Sequence, residues 1–193
     1  MRIWTIQPAD LYEKFKTRQV LLADGRYGWQ NFKPAYRWMA EQMRRRLPPS
    51  HARFPWWGWY RYRGVRRPKP DLRDTALLPK GQKGVRLELD LDDRGILLSD
   101  FGQWHNVLNN RFCSHDEAED NRFDQEEKEA DYRYDRPRPE ALQSRVLASW
   151  ERIFDLTGGD PEWLGKVSKR AIQATFWELR LQDVTDVTFF TAR

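Results

Sequence analysis

Gly84-Val85-Arg86-Leu87-Glu88-Leu89-Asp90-Leu91-Asp92 alternates apolar and charged side chains at nearly every step. A strand turns successive side chains to opposite faces, so this pattern predicts a half-buried strand with Val85, Leu87, Leu89 and Leu91 inward. Asp92-Asp93-Arg94-Gly95 reads as a turn, and Ile96-Leu97-Leu98 after it predicts a hairpin. A strand with one apolar face needs a covering layer, and amphipathic helices on either side can supply it.

Upstream, Pro34 to Leu47 carries Tyr36, Met39, Ala40, Met43 and Leu47 on one helical face. Pro48-Pro49 stops this helix, because proline disfavours helical geometry in the residue before it. Downstream, Asp100-Phe101-Gly102-Gln103 resembles a capping box opening a helix with Phe101, Trp104, His105 and Leu108 inward. Pro139 to Phe154 is a further amphipathic helix, with Leu142, Val146, Trp150, Ile153 and Phe154 inward.

Strand-like runs fill much of the rest: 2–7, 20–22, 54–62, 172–181 and 184–191, with a short helix after Pro8 built on Leu11, Tyr12 and Phe15. Residues 63–84 are rich in proline and glycine and read as loop. The order of elements is not a repeating βαβ array. It predicts an α+β fold, a single domain over 1–193 with a mixed or antiparallel sheet and amphipathic helices packed on it. Residues 114–137 are mostly charged, and an exposed helix or a mobile excursion is expected there.

Ten Trp, ten Phe and seven Tyr offset a charged fraction of 33%, which excludes a disordered chain despite a mean hydropathy of -0.90. No apolar run approaches the length of a membrane helix, and no signal peptide is visible, so a cytoplasmic protein is expected. Cys113 is the single cysteine, so neither an intrachain disulfide, a disulfide-linked partner nor a cysteine-rich metal site is expected. The net charge of +5 is unevenly laid out: +14 over residues 1–86, −9 over 87–136 and zero over 137–193. Such a split fits either a basic surface that meets an anion or two surfaces that neutralise each other.

The richest constellation combines Arg44, Arg45 and Arg46 with Trp56, Trp57, Trp59 and Tyr60, then Arg61, Arg63, Arg66, Arg67 and Lys69. Cations neutralise phosphates and aromatic faces stack on unpaired bases, so the stretch is a candidate for binding RNA or single-stranded DNA. The competing reading places the tryptophans in the core with arginines packed over them. Cys113 and His115 lack a third partner for nucleophilic chemistry, and Gly81-Gln82-Lys83-Gly84 lacks the strand–loop–helix setting of a phosphate loop. Glu178 shares a strand face with Ile172, Ala174 and Phe176, where desolvation could prepare a carboxylate for catalysis. Against this stands a strand-end glutamate reaching solvent or paired with Arg180 or Arg86. A protein-interaction module is the remaining alternative.

Several stretches taken together resemble a known family. They include Ile3-Trp4-Thr5-Ile6-Gln7, Phe32-Lys33-Pro34-Ala35-Tyr36-Arg37-Trp38-Met39, Pro55-Trp56-Trp57-Gly58-Trp59-Tyr60, Trp104-His105-Asn106-Val107-Leu108-Asn109 and Gln173-Ala174-Thr175-Phe176-Trp177-Glu178. The chain is similar over nearly its whole length to the bacterial domain of unknown function 3841 family. The resemblance implies a one-domain bacterial protein and carries over no catalytic residue. A second resemblance, at the level of fold, is to the ADP-ribosyltransferases, and it would make Glu178 the carboxylate that contacts the ribose of NAD. Trp4 and Thr5 stand where one subgroup has a histidine, and Phe176 where another has Gln or Glu. No cofactor is expected outside that NAD alternative.

Overall fold

The structure, a computed structural model, describes residues 1–25 and 32–193, and the elements and partners named are theirs. Six strands form one antiparallel sheet: β1 (Arg2–Pro8), β3 (Trp56–Arg61), β4 (Lys83–Asp90), β5 (Leu97–Asp100), β6 (Ile172–Phe176) and β8 (Val184–Thr191). Their order across the sheet is β5-β6-β3-β1-β4-β8. β2 (Val20–Leu22) and β7 (Glu178–Arg180) make a separate two-stranded sheet. The chain is a single α+β domain.

The alternating stretch behaves as its pattern requires. β4 pairs with β1 from Arg2↔Asp90 to Pro8↔Gly84, so Ile3, Thr5 and Gln7 share a face with Leu89, Leu87 and Val85. On that face α1 (Ala9–Arg18) lays Leu11 and Phe15 over the sheet, in one cluster with Leu21, Trp56, Phe176 and Leu179. Gly58 is required here, because a Cβ would lie 2.5 Å from Ile3 Cγ2. The opposite face around β3, β5 and β6 is covered by α2 (Lys33–Arg46), α3 (Phe101–Leu108) and α5 (Glu140–Ser149). Met39, Met43, Trp104, Val107, Val146 and Ile153 are buried there. The remaining helices are α4 (Glu117–Glu129) and the short α6 (Pro161–Leu164).

Local signals mark the ends of these helices. Asp100 accepts from the Gln103 amide at 3.1 Å and caps α3. Asp116 accepts from Glu119 N at 2.7 Å and caps α4. The Leu47 amide bonds Met43 O before Pro48-Pro49 ends the run.

Four expectations need correction. The predicted hairpin does not form: β4 lies between β1 and β8, whereas β5 is at the far edge against β6. Asp92 caps a 3-10 turn over Asp93–Gly95 that carries the chain away from β4. The pattern of β4 records which face is buried and not which strand lies alongside. Residues 172–181 are not one strand, because Trp177 turns into the helix-packed cluster and the chain resumes as β7 in the other sheet. The helix expected over 139–154 tightens to 3-10 geometry at Trp150–Phe154. His105 points outward, its ring nitrogen 2.8 Å from Phe101 O, while Gln103 and Val107 take the inner positions.

Candidate ligand cleft

β1 ends and β3 begins at the same edge of the sheet, and a cleft of about 550 Å³ opens there. Its walls come from both layers. Leu11, Lys14 and Arg18 belong to α1, Leu21 to Gly25 to the end of β2, and Lys33, Tyr36 and Arg37 to the first turns of α2. Gln7, Phe54, Pro55, Trp56 and Trp57 complete it.

The aromatic wall is held from behind. Tyr36 meets the Trp57 ring edge-on at 5.7 Å, and Trp57 lies 4.9 Å from Trp104. Trp56 Nε1 donates to Leu21 O at 3.0 Å and ties β3 to β2. Gly25 has a φ of +73°, and a Cβ there would come within 2.8 Å of the Phe54 ring. Glycine is therefore the residue that lets this turn close against the aromatic wall. Burial raises the Tyr36 phenol above its ordinary pKa, so at neutral pH it stays protonated and able to donate. Trp57 Nε1 is buried with no acceptor among the described residues, a deficit of about 1–3 kcal/mol.

The rim is basic. Lys14 pairs loosely with Asp10 at 3.6 Å, while Arg18, Lys33 and Arg37 have no ion pair among the described residues. Among the described residues Asp24 is the single acid lining the cleft, and it has interactions of its own. Lys33 and Arg37 are four apart in the first turns of α2, which carry no acid and no side-chain cap. Like charges at that spacing repel, and Lys33, at the first helical position, opposes the helix dipole by about 0.3–1 kcal/mol. A bound anion would reverse the sign of both effects.

The residues singled out for nucleic-acid binding fall into two groups, one at the C-terminal end of α2 and one along β3 and the loop after it. Arg44 and Arg45 are at the other end of α2, both paired with Glu41, and Arg44 lies over the Trp177 ring. Arg46 pairs with Glu151. Trp56 is buried, and Trp59 packs against Tyr62 and Phe101. Arg61 covers Tyr60 at the opposite end of β3, about 17 Å from Trp56 at strand rise. Arg63 pairs with Asp74 at 2.6 Å, and Arg66 and Arg67 are exposed in the following loop. Of that set only Trp56 and Trp57 reach the cleft. Arg18, Lys33, Tyr36 and Arg37 line the cleft but lie outside residues 44–69. The one sequence signal among them is Lys33, a cation at a helix start, where the dipole disfavours it.

Glu178 lines a second cavity of about 520 Å³ with Pro48, Pro49, Phe176, Trp177 and Arg180. Its Oε2 accepts from Arg180 Nη2 at 2.6 Å, and Arg94 is likewise bonded to Asp92. Both arginines lining this cavity thus already hold a carboxylate two residues away.

The acidic helix α4 does not lie over residues 54–62. Its charges meet cations from the C-terminal third: Glu119 with Arg152 at 2.8 Å, Glu127 with Arg138 at 2.5 Å, and Glu126 with Arg145. None of these pairs involves a cation of the cleft. Burial pushes the Cys113 thiol up to about 12, which makes it a packing residue and not a nucleophile. No cluster of metal-ligating side chains occurs among the described residues, and no described helix is long and apolar enough to cross a membrane.

Fold and cleft together define an α+β domain with a hollow that combines aromatic walls and a basic rim. The chain belongs to the family Domain of unknown function (DUF3841), whose profile matches residues 2–185. No curated protein and no solved structure matches it.

Proposed function

We propose that the protein binds a nucleotide unit in this cleft, either as a free nucleotide or at the end of an RNA or single-stranded DNA. The observation that carries the reading is the placement of Lys33 and Arg37. They stand in the first two turns of α2 with no ion pair among the described residues, Lys33 against the helix dipole, on the rim of an aromatic-walled hollow. Residues that weaken their own helix need a compensating partner, and a phosphate supplies it. Arg18 across the cleft adds a third contact, and the Tyr36 and Trp57 rings offer a surface for a base. This keeps the expected basic and aromatic chemistry but moves it from residues 44–69 to the hollow between α1, β2 and α2.

Tryptophan fluorescence titrated with nucleoside monophosphates and with oligonucleotides, with and without a 5′-phosphate, tests it. Quenching that weakens as salt rises is expected. Hydrogen bonds to charged groups contribute about 1.5–3 kcal/mol each, so the double variant Lys33→Glu/Arg37→Glu should bind about 100-fold more weakly or worse. Preference for monophosphates over strands, or the reverse, identifies the source of the nucleotide. No quenching by any of them, or equal binding by the double variant, would remove the proposal.

A further inference from the structure

The six-stranded sheet ends differently on its two sides. β5, at one edge, is four residues long, and the 150–154 turn packs against it. β8, at the other, is eight residues long and has no partner strand beyond it among the described residues. Natural edge strands are normally blunted by lysine, proline or cover. β8 contains no lysine or proline, and its one charge, Asp186, is 4.0 Å from Lys69 on the sheet's other face. A bulge at its start, between the Leu89↔Val184 and Glu88↔Asp186 pairs, leaves 186–191 as the regular stretch.

The ladder shows which groups are left over. Ala192 N donates to Gln82 O at 2.9 Å, so the bonded positions toward β4 fall at every second residue from Ala192 back to Asp186. Val187, Phe189 and Thr191 therefore turn their N–H and C=O outward. Phe189 stands on the same sheet face as Val85, edge-on to Tyr12 at 5.5 Å, and remains 56% exposed.

We infer that two copies of this chain pair through β8, antiparallel, with Phe189 on the two-fold axis. An antiparallel edge is complementary to itself, so one axis closes both open edges and leaves no strand free to propagate. In this register Phe189 faces the partner copy's Phe189, Val187 faces Thr191, and about six backbone hydrogen bonds form. Charge favours the copy over a charged strand: the outward positions are neutral, and Asp186 lies opposite Ala192. The two Asp186 carboxylates are then about 20 Å apart along the strands, roughly twice the screening length at physiological salt.

Sedimentation of the full chain over a range of concentrations should show a monomer–dimer equilibrium. Phe189→Lys should weaken it at least tenfold with unchanged circular dichroism. Phe189→Cys supplies the second readout. Bonded antiparallel positions place Cα atoms about 5.5 Å apart, within disulfide reach, so oxidation should yield a covalent dimer. Cys113 is fully buried and does not compete. Thr188→Cys should not cross-link, because its counterpart lies one diagonal away. A monomer at every concentration, a dimer indifferent to Phe189→Lys, or cross-linking through Thr188→Cys instead of Phe189→Cys would each overturn the inference.

Discussion

Two hollows of nearly equal size flank the small sheet, which gives one strand to each. β2 lines the cleft of about 550 Å³ and β7 lines the cavity of about 520 Å³. Across that sheet Leu22 is directly paired with Glu178. Both hollows have aromatic walls and arginines at the rim. They differ in what the arginines hold. Arg94 and Arg180 are each bonded to a carboxylate two residues away, whereas Arg18 and Arg37 have no ion pair among the described residues. Composition does not separate the two; pairing does. A cation two residues from an acid on a strand or turn finds that acid locally, and a ligand must compete with it.

Gly25 offers the sharpest way to break the contrast short of reversing the charges themselves. Gly25→Ala forces an L-residue into left-handed geometry at a cost of about 1–2 kcal/mol and drives its Cβ against Phe54. Tm should fall by about 2–8 °C. Nucleotide affinity should drop with it, since Phe54 is part of the wall, and the second cavity should be unaffected. A variant with wild-type Tm and affinity would show that Phe54 does not shape the cleft.

Arg180→Ala and Glu178→Gln probe the other side. The pair is partly exposed, and such pairs contribute about 0–1 kcal/mol, so thermal unfolding should change little. Nucleotide binding in the cleft should not change at all. Should either substitution weaken binding as strongly as reversal at Arg37 does, the two hollows act as one site, and Glu178 regains a claim to ligand chemistry.

Much of the fold was legible because burial imprints periodicity. β4 announced itself through Val85, Leu87 and Leu89, and α2 through Met39, Ala40 and Met43. Partner strands leave no such imprint. β4 looked like half of a hairpin, yet β1 and β8 took both of its edges, and Trp177 split what read as one strand between two sheets. The cleft was only half visible for a related reason. Trp56 and Trp57 stood out as aromatic, but the arginines beside them in sequence lead to Glu41 or to the far end of β3. The cations that do meet those rings come from α1 and from the first turns of α2, elements that only the tertiary fold brings together. Lys33 is the one cleft cation that the sequence marks, as a charge of the wrong sign for a helix start.

Asp183 carries the finest test of the difference between the hollows. It lines the second cavity, and burial raises its pKa above the ordinary carboxylate value, with Arg180 opposing the shift. A carboxylate raised on folding holds its proton in the native state while the unfolded chain has released it. The native state then binds more protons, so stability falls as pH rises from the ordinary carboxylate pKa through the raised one. At neutral pH the burial of this charge is a net cost. Asp183→Asn removes that cost, so the variant should melt slightly higher than wild type at pH 7. The gain should vanish below the ordinary carboxylate pKa, where wild-type Asp183 is protonated in both states. Asp183 does not line the cleft, and nucleotide affinity should be the same in the variant. A lower Tm at pH 7 would mean that the Asp183 charge is satisfied by Arg180, and that the second cavity is neutralised more completely than its burial implies.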